Sequence, residues 1–180
     1  MGLGRIDLRG QAVPRSKPYV TRAPLVGRPK MPTSYGIRAP TEGTGLLEWS
    51  FVSSRMKASR NYWIASASSD GVPHVAPVWG LWHQDTFYFS TDRHSRKGRN
   101  VATRPSVVVH LESGDEAVMI EGNAESVGDS GLLTELDSLY FQKYAFHLDA
   151  GATYKVAPKV AFAWLEKDFV GTATKWAFRN

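Results

Sequence analysis

Hydroxyl and basic side chains are concentrated in one short segment of the chain, FYFSTDRHSRKGRN, which covers residues 87–100. Its first half has the aromatic character of a strand, and its second half favours a helix. If Ser95 caps that helix, Arg96 and Lys97 occupy its first turn, where unpaired backbone N–H groups and the helix dipole attract an anion. Two hydroxyl donors at the end of the strand join this group, Ser90 and Thr91. The combination suits a phosphate, and the alternative is a solvated basic turn.

Side chains typical of other chemistries are absent from the sequence or stand apart. There is no cysteine, which excludes disulfides, thiolate catalysis and cysteine-bound metals. The five histidines never have the spacing of two metal ligands on one helix: His74, His83, His94, His110 and His147. No nucleophile elbow, phosphate-binding loop or dinucleotide-binding glycine motif occurs. The sequence therefore predicts neither a catalytic side chain nor a metal site.

The positive charge of the chain belongs to its N-terminal part. Residues 1–40 contain eight of the 22 basic residues and one of the 17 acidic residues, a balance of +7, so the remainder carries −2. Six of the ten prolines also lie there, without a hydrophobic period. We therefore expect residues 1–45 to form a basic, extended or partly disordered arm before a folded domain at residues 46–180. Such an arm could contact nucleic acid, but scattered basic residues without aromatic partners favour a solvated tail that wraps a partner subunit.

The rest of the sequence predicts a mainly β fold. Six strands are expected, namely YWIASAS, VPHVAPVWGLW, TFYFST, SVVVHLE, AVMIEGNAESV and YKVAPKVAFAWLE, and GTATKWAF ends the chain in extended form. Pro73 and Pro77 cannot donate to a sheet ladder, so the second strand should have an irregular or exposed edge there. Short helices are expected over residues 47–56, in the segment quoted above, and after a cap at Asp129 or Ser130. Many antiparallel strands with few helices favour a closed or partly closed barrel.

Several ordered blocks of the chain resemble one family. They are NYWIASASSDGVPHVAPVWGLW, FYFSTDRHSRKGRNVATRPSVVVHLESGDEAVMIEGNAE, KY and VAFAWLEKDFVGTATKWAF. Together they resemble the pyridoxamine 5'-phosphate oxidase-like superfamily, and more narrowly its actinobacterial branch of flavin/deazaflavin oxidoreductases. The resemblance implies an FMN-binding split β-barrel of about six antiparallel strands with short flanking helices. It also implies a homodimer with a flavin, or the deazaflavin coenzyme F-420, in each of two interface clefts.

The resemblance further implies which residues bind the cofactor. Those that would hold its phosphate, with Arg96 as a helper, are Ser90, Thr91, Lys97 and Asn100. Those whose backbone and side chains would line the ring plane are Pro77, Val78 and Trp79, and His74 lies in the strand beside the ring. A C-terminal element that approaches the site matches Lys175 and Trp176. Lys175 stands in place of the family's arginine, so an ammonium group that acts as a point charge replaces a guanidinium group that can bind an anion through two hydrogen bonds.

The absence of a catalytic motif fits cofactor chemistry, because in hydride transfer the protein supplies orientation, electrostatics and water exclusion. We therefore expect an oxidoreductase that transfers a hydride between F-420 and a small organic substrate bound at the dimer interface. Four arginines could form a basic channel for the oligoglutamate tail of F-420 and favour it over FMN: Arg93, Arg96, Arg99 and Arg104.

Other functions stay open at this point. An FMN-dependent oxidase or reductase of the same fold is one alternative. A non-enzymatic flavin-, haem- or tetrapyrrole-binding protein, or a scaffold, is another, and haem would need His74 or His110 as an axial ligand. Nucleic acid is not an expected partner, and no apolar run is long enough to span a membrane. The absence of cysteine and of a secretory signal pattern favours the cytoplasm.

Overall fold

The computed structural model describes residues 23–42, 45–149 and 152–179. Residues 1–22 and 43–44 of the expected arm lie outside the described residues, and so does any prediction about their conformation. Within the described ranges, no helix has the length and the apolar character needed to cross a membrane.

In the described part of the chain, six antiparallel strands form a closed barrel and two short strands extend it on one side. In chain order the strands are β1 (Leu25–Gly27), β2 (Asn61–Ala67), β3 (Pro73–His83), β4 (Thr86–Ser90), β5 (Ser106–His110), β6 (Glu116–Ser126), β7 (Thr153–Leu165) and β8 (Thr174–Ala177). The neighbours around the barrel are β7, β4, β3, β2, β5 and β6, and a β6–β7 pairing closes it. The predicted mainly β split barrel is confirmed.

The barrel interior follows from the alternation of side chains along the strands. In β2, Tyr62 and Ile64 are buried, and Trp63 between them is only half-buried. In β4, Phe87 and Phe89 point inward in the same way and stack on each other at 6.0 Å between ring centroids. The aromatic and β-branched residues that made these segments recognisable as strands are therefore also the residues that fill the core.

Four helices flank the barrel among the described residues: α1 (Trp49–Ala58), α2 (Arg96–Thr103), α3 (Ser130–Tyr144) and α4 (Phe169–Thr172). Ser95 caps α2 as predicted, because its Oγ accepts a hydrogen bond from the Gly98 N–H at 2.9 Å. Asp129 caps α3 through the Leu132 N–H at 2.8 Å. The apolar side of α3 packs on the outer face of β3 and β4, where it forms a second buried cluster.

β3 leaves one edge open along its first half. Residues 73–79 pair with β2, and pairing with β4 begins only at Gly80. This is the split in the barrel, because β4 ends in Ser90 beside β7 and has no partner in the first half of β3. We call the space beside this open edge, on the side of the segment that connects β4 to α2, the slot.

The direction of the open edge can be read from Gly80. The Gly80 N–H donates to the Tyr144 hydroxyl at 3.0 Å, and the single proton of that hydroxyl lies within reach of two carbonyl oxygens, that of Arg60 just before β2 at 2.6 Å and that of Gly80 at 2.8 Å. The backbone N–H and C=O of Gly80 therefore point toward β2. Because these backbone groups alternate in direction along a strand, those of Trp79, and of every second residue before it, point to the open edge. Pro73 and Pro77 lie at those positions, where the sheet needs no N–H, so the predicted exposed edge is confirmed.

β1 lies in the region that was expected to be an extended arm, and it pairs with β8 at the edge of the sheet. Arg28, directly after β1, donates hydrogen bonds to the carbonyls of Arg38, Ala39 and Ala173 at 3.0 to 3.2 Å. These bonds attach the segment after β1 to the residue that follows α4. The division of the chain at residue 45 stays a prediction.

Candidate cofactor site

The first turn of α2 lies at the end of the β2–β3 hairpin. Asn100 Nδ2 donates to Ser66 Oγ at 3.0 Å, and Arg96 Nη2 lies 3.5 Å from the carbonyl oxygen of Pro73. His74 is the cross-strand partner of Ser66. The structure therefore brings three of the predicted site residues together from two elements: Arg96, Asn100 and His74.

A glycine lets α2 approach the turn that precedes it. A Cβ atom at Gly98 would overlap the carbonyl oxygen of Asp92 and the backbone of Arg93. Thr91 supports the helix start from the other side, since its Oγ1 lies 3.0 Å from the Oγ of the capping Ser95. The end of β4 and the first turn of α2 are thereby fixed relative to each other.

The end of β4 and the start of α2 meet at residues 90–100, which we call the corner, and Lys97 lies in it. Its side chain is half-buried, and burial lowers the pKa of its ammonium group. Among the described residues, no carboxylate oxygen lies within 4.0 Å of it. The pKa of His74 is lowered first by desolvation and then by the charges of Arg96 and Lys97, which places both cations near that ring. Unbalanced positive charge beside a neutral imidazole favours the binding of an anion.

Ser90 and Thr91 also reach the corner, but both have partners. The Ser90 hydroxyl lies 3.4 Å from the carbonyl oxygen of Asp149. Thr91 is buried, and its N–H donates to the carbonyl of Ala152 at 3.1 Å. Thr91 therefore serves mainly to hold the loop before β7 and the cap of α2, whereas the half-buried Ser90 can turn its hydroxyl to a ligand.

The three residues expected to line a ring plane do not share one face. Pro77 and Trp79 point outward from β3 and are exposed, Trp79 by 37%. Val78 points inward and packs against the barrel core. The expectation that its side chain lies with the other two is therefore corrected, because alternation turns it into the barrel. Its backbone stays in the open half of β3.

Trp176 does not lie at the corner. Its side chain is 1% exposed and packs edge-on against Trp49, with ring centroids 5.6 Å apart. A fully buried ring has no surface for a ligand, so the expected approach of Trp176 to the site is corrected. Lys175 points outward on β8, with its Nζ 5.8 Å from the ring centroid of Phe162. By the shorter route around the sheet, β7 and β4 lie between β8 and β3, the strand of Pro77.

The outer face of the sheet carries a continuous row of half-exposed side chains, which we call the outer row. Cross-strand register aligns its members on β2, β5, β6, β7 and β8: Trp63, His110, Met119, Phe162 and Lys175. The rings of Trp63 and His110 are stacked, with centroids 6.4 Å and planes 7° apart. Beside the row, small side chains leave a shallow cleft of about 480 Å³. In the single chain this largely apolar face is uncovered.

Sequence reasoning gave no role to Lys143 and Tyr144, which lie where pairing of β3 with β4 begins. The Tyr144 ring stacks on Trp79, with centroids 4.8 Å and planes 8° apart. Lys143 Nζ donates to the Gly80 carbonyl at 3.0 Å. Burial, and then the charge of Arg60, lowers the pKa of Lys143 to about 8. The dipeptide KY was one of the blocks that carry the resemblance, but its contact with β3 is seen only in the folded structure.

The cations, the hydroxyl of Ser90 and the open edge of β3 can bind and orient a ligand. Among residues 23–42, 45–149 and 152–179, no three acidic or histidine side chains form a group that could hold a metal ion. The closest ion pairs stand apart from the corner: Arg55 bonds Glu116 through two contacts of 2.8 and 3.0 Å, and His147 lies 3.0 Å from Asp137.

Solved structures with the same fold have low sequence identity to this chain. A conserved hypothetical protein from Mycobacterium tuberculosis has a TM-score of 0.59 at 20% identity, with 72% of this chain and 89% of that one covered. General stress protein 26 from Bacillus anthracis has a TM-score of 0.53 at 19% identity, with 63% and 91% covered. A haem-binding protein from Mycobacterium smegmatis has a TM-score of 0.52 at 14% identity, with 68% and 60% covered. No curated protein sequence matches the chain significantly.

The family model described as pyridoxamine 5'-phosphate oxidase matches residues 52–171. The matched range is two thirds of the chain and contains the six barrel strands, α2 and α3. It includes the open edge of β3 and the corner around Lys97. The chain therefore belongs to the pyridoxamine 5'-phosphate oxidase family.

Proposed function

We propose that this protein is an oxidoreductase that transfers a hydride between coenzyme F-420 and a small organic substrate bound at a homodimer interface. The observation that carries the proposal is the half-buried ammonium group of Lys97, which has no carboxylate partner among the described residues. Burial of an unpaired charge is unfavourable, so side chains of this kind are concentrated at binding and catalytic sites.

The residues of the corner fit the phosphate of such a cofactor. Lys97 supplies a cation with little competing solvent, and the first turn of α2 supplies backbone N–H groups. Arg96 is exposed beside them and can bind two phosphate oxygens at once. Ser90 adds a hydroxyl donor. Asn100 is 4% exposed and already donates to Ser66, so its role in the proposal is to hold the hairpin against α2.

The open edge of β3 fits the polar rim of the cofactor ring. Backbone alternation directs the N–H groups of Val75 and Trp79, and the carbonyls of Pro73 and Pro77, into the slot. An unpaired strand edge is a row of donors and acceptors, and the pyrimidine rim of a flavin or deazaflavin complements it. The bound cofactor would supply the hydride chemistry. The residues of this chain hold the ring, orient it and exclude water from its rim.

F-420 is preferred to FMN because cations continue beyond the phosphate corner. Arg104, two helical turns after Arg96, donates to the carbonyl of Ser69 at 2.7 Å, so both arginines follow the β2–β3 hairpin. They give an anionic tail a path along α2. Arg99 points back to the carbonyl of His94 and is not part of this path. An FMN-dependent oxidase or reductase is the alternative in the same site, since FMN needs only the corner.

A homodimer is part of the proposal because the outer row is uncovered in the single chain. Aromatic residues and methionine are enriched at the centres of protein interfaces, and Trp63, Met119 and Phe162 supply three of them. A row of partly exposed apolar side chains favours a partner surface. Lys175, at the far end of the row, would then contribute to the site of the second copy rather than to its own.

Haem binding is the second candidate function, and the tautomer of His110 favours it. The His110 Nδ1 atom lies 2.8 Å from the carbonyl oxygen of Leu111, which can only accept, so in the neutral ring Nδ1 is the protonated nitrogen and Nε2 is the one left to bind a metal. A histidine held in this way is suited to bind iron. A haem-binding protein also has the same fold.

Titration of F-420, FMN and haem into the purified protein tests the proposal. We expect F-420 to bind more tightly than FMN, and reduced F-420 on the protein to be oxidised by electron-poor organic acceptors, as followed by absorbance. Tighter binding of FMN would favour the flavin enzyme. A Soret band that is lost in His110→Ala and kept in the surface control His147→Ala would favour the haem-binding protein. Failure of all three to bind would refute the proposal.

A further inference from the structure

A cation and three aromatic rings lie together at the C-terminal end of α3, and we call them the α3 platform. The ring of Trp79 stacks on that of Tyr144, with centroids 4.8 Å and planes 8° apart. The guanidinium carbon of Arg60 is 5.6 Å from the Trp79 centroid and 5.4 Å from the Tyr144 centroid. Phe146 meets Trp79 edge-on at 5.8 Å.

The face of Trp79 that points away from Tyr144 is not covered by Arg60. Stacked groups are about 3.5 Å apart, so a guanidinium above that face would lie about 7 Å from the plane of Tyr144. The observed 5.4 Å excludes this position and places Arg60 at the rim of the stack. Trp79 is 37% exposed and Phe146 is 64% exposed. Both rings therefore keep solvent-accessible surface beside a cation.

No acidic residue balances the charge of the platform. Among the described residues, neither Arg60 nor the nearby Lys143 has a carboxylate oxygen within 4.0 Å. Lys143 donates two hydrogen bonds, to Tyr62 and Gly80. The side chain of Arg60 makes no hydrogen bond to a described residue, so its planar set of donors is available to an oxyanion.

We propose that the α3 platform binds a planar aromatic anion, with its ring stacked on Trp79 and its carboxylate paired with Arg60. The assignment of this anion as the substrate rests on the proposed function, because Trp79 borders the open edge of β3 where the cofactor ring would lie. The platform and the phosphate corner are distinct sites. Trp79 and His74 are five residues apart on one strand, a separation of about 16 Å.

Binding of 2-naphthoate and of its neutral analogue 2-naphthamide, measured by calorimetry, tests this inference. We expect wild-type protein to bind the acid about fivefold more tightly than the amide, the upper range for an exposed ion pair. Arg60→Gln should remove that difference, and Trp79→Ala should weaken both probes. Lys57→Gln removes an exposed cation from α1 and is the matched control, which should keep the difference.

Equal affinity of wild-type protein for the acid and the amide would overturn the inference. So would a preference for the acid that persists in Arg60→Gln, or the absence of binding by either probe. The experiment also separates this inference from the proposed function. If 2-naphthoate binds through Arg60 and neither F-420 nor FMN binds, the platform stands and the cofactor proposal fails. If F-420 binds and the protein has equal affinity for the acid and the amide, the cofactor proposal stands and the inference about the platform fails.

Discussion

Replacement of Lys97 by methionine should stabilise the cofactor-free protein and weaken cofactor binding. Methionine keeps most of the length and the apolar contacts of the lysine stem, and it removes the ammonium group. Burial lowers the pKa of Lys97, so the folded chain disfavours the charged form relative to the unfolded chain. An anionic ligand reverses this preference. The same substitution should therefore raise the stability of the cofactor-free protein and lower its affinity for the cofactor.

The expected magnitudes follow from the half-buried position of Lys97. Because solvent screens a group that is half exposed, we expect a gain of only about 0.5–1 kcal/mol in the free energy of unfolding, the range of a typical stabilising substitution. For a chain of this size that raises the melting temperature by about 1–4 °C. A hydrogen bond to a charged group contributes about 1.5–3 kcal/mol, so the cofactor dissociation constant should rise about 10- to 150-fold.

Thermal unfolding without cofactor and fluorescence titration with F-420 and FMN measure the two effects. Lys57→Met, which removes an exposed cation from α1, is the matched control and should change neither quantity appreciably. A Lys97→Met protein that is less stable than wild type and binds cofactor equally well would refute the reasoning, because Lys97 would then be a structural residue.

Three further predictions concern the core, the charge on α3 and the outer face. Trp176→Ala should lower the free energy of unfolding by about 3–5 kcal/mol in chemical denaturation, since the ring is 1% exposed; a loss below about 1 kcal/mol would contradict its place in the core. The pKa of Lys143 falls from 10.5 to about 8 on folding, so the unfolded chain binds more protons in that window and this group makes stability rise with pH there. Lys143→Met should show a smaller rise than wild type, and equal slopes would contradict the assignment. Phe162→Glu should dissociate the proposed dimer in sedimentation, whereas Phe141→Glu on exposed α3 should not; a dimer that survives Phe162→Glu would exclude the outer row as the interface.

Features that depend on neighbours in sequence could be predicted. The cap of α2 needed only Ser95 and a helix-forming segment after it, and the barrel strands needed only alternation and turn residues. The open edge of β3 could be predicted because Pro73 and Pro77 lack an N–H wherever they lie. A position of Lys97 near His74 was implied by the resemblance, and the contacts of Asn100 with Ser66 and of Arg96 with Pro73 join α2 to that hairpin.

Features that depend on long-range packing could not be predicted. The sequence KWAF indicates a strand, but which of its faces lies inward is decided by the contact of Trp176 with Trp49 on α1. Val78 was expected beside a ligand, and its register with Tyr62 turns it toward the core instead. The stack of Tyr144 on Trp79 joins α3 to β3 across the fold, and no local pattern encodes it.

The phosphate corner is tested most directly by comparing F-420 with its phosphate-free deazariboflavin core in titrations of the wild-type and Lys97→Met proteins. Both compounds have the same ring, and the part of the difference in affinity that Lys97→Met removes isolates the corner from the proposed path of the tail along α2. We predict that F-420 binds the wild-type protein at least about tenfold more tightly, as one charged hydrogen bond to phosphate implies. Equal affinities of the two compounds would contradict the central claim that this corner binds an anion.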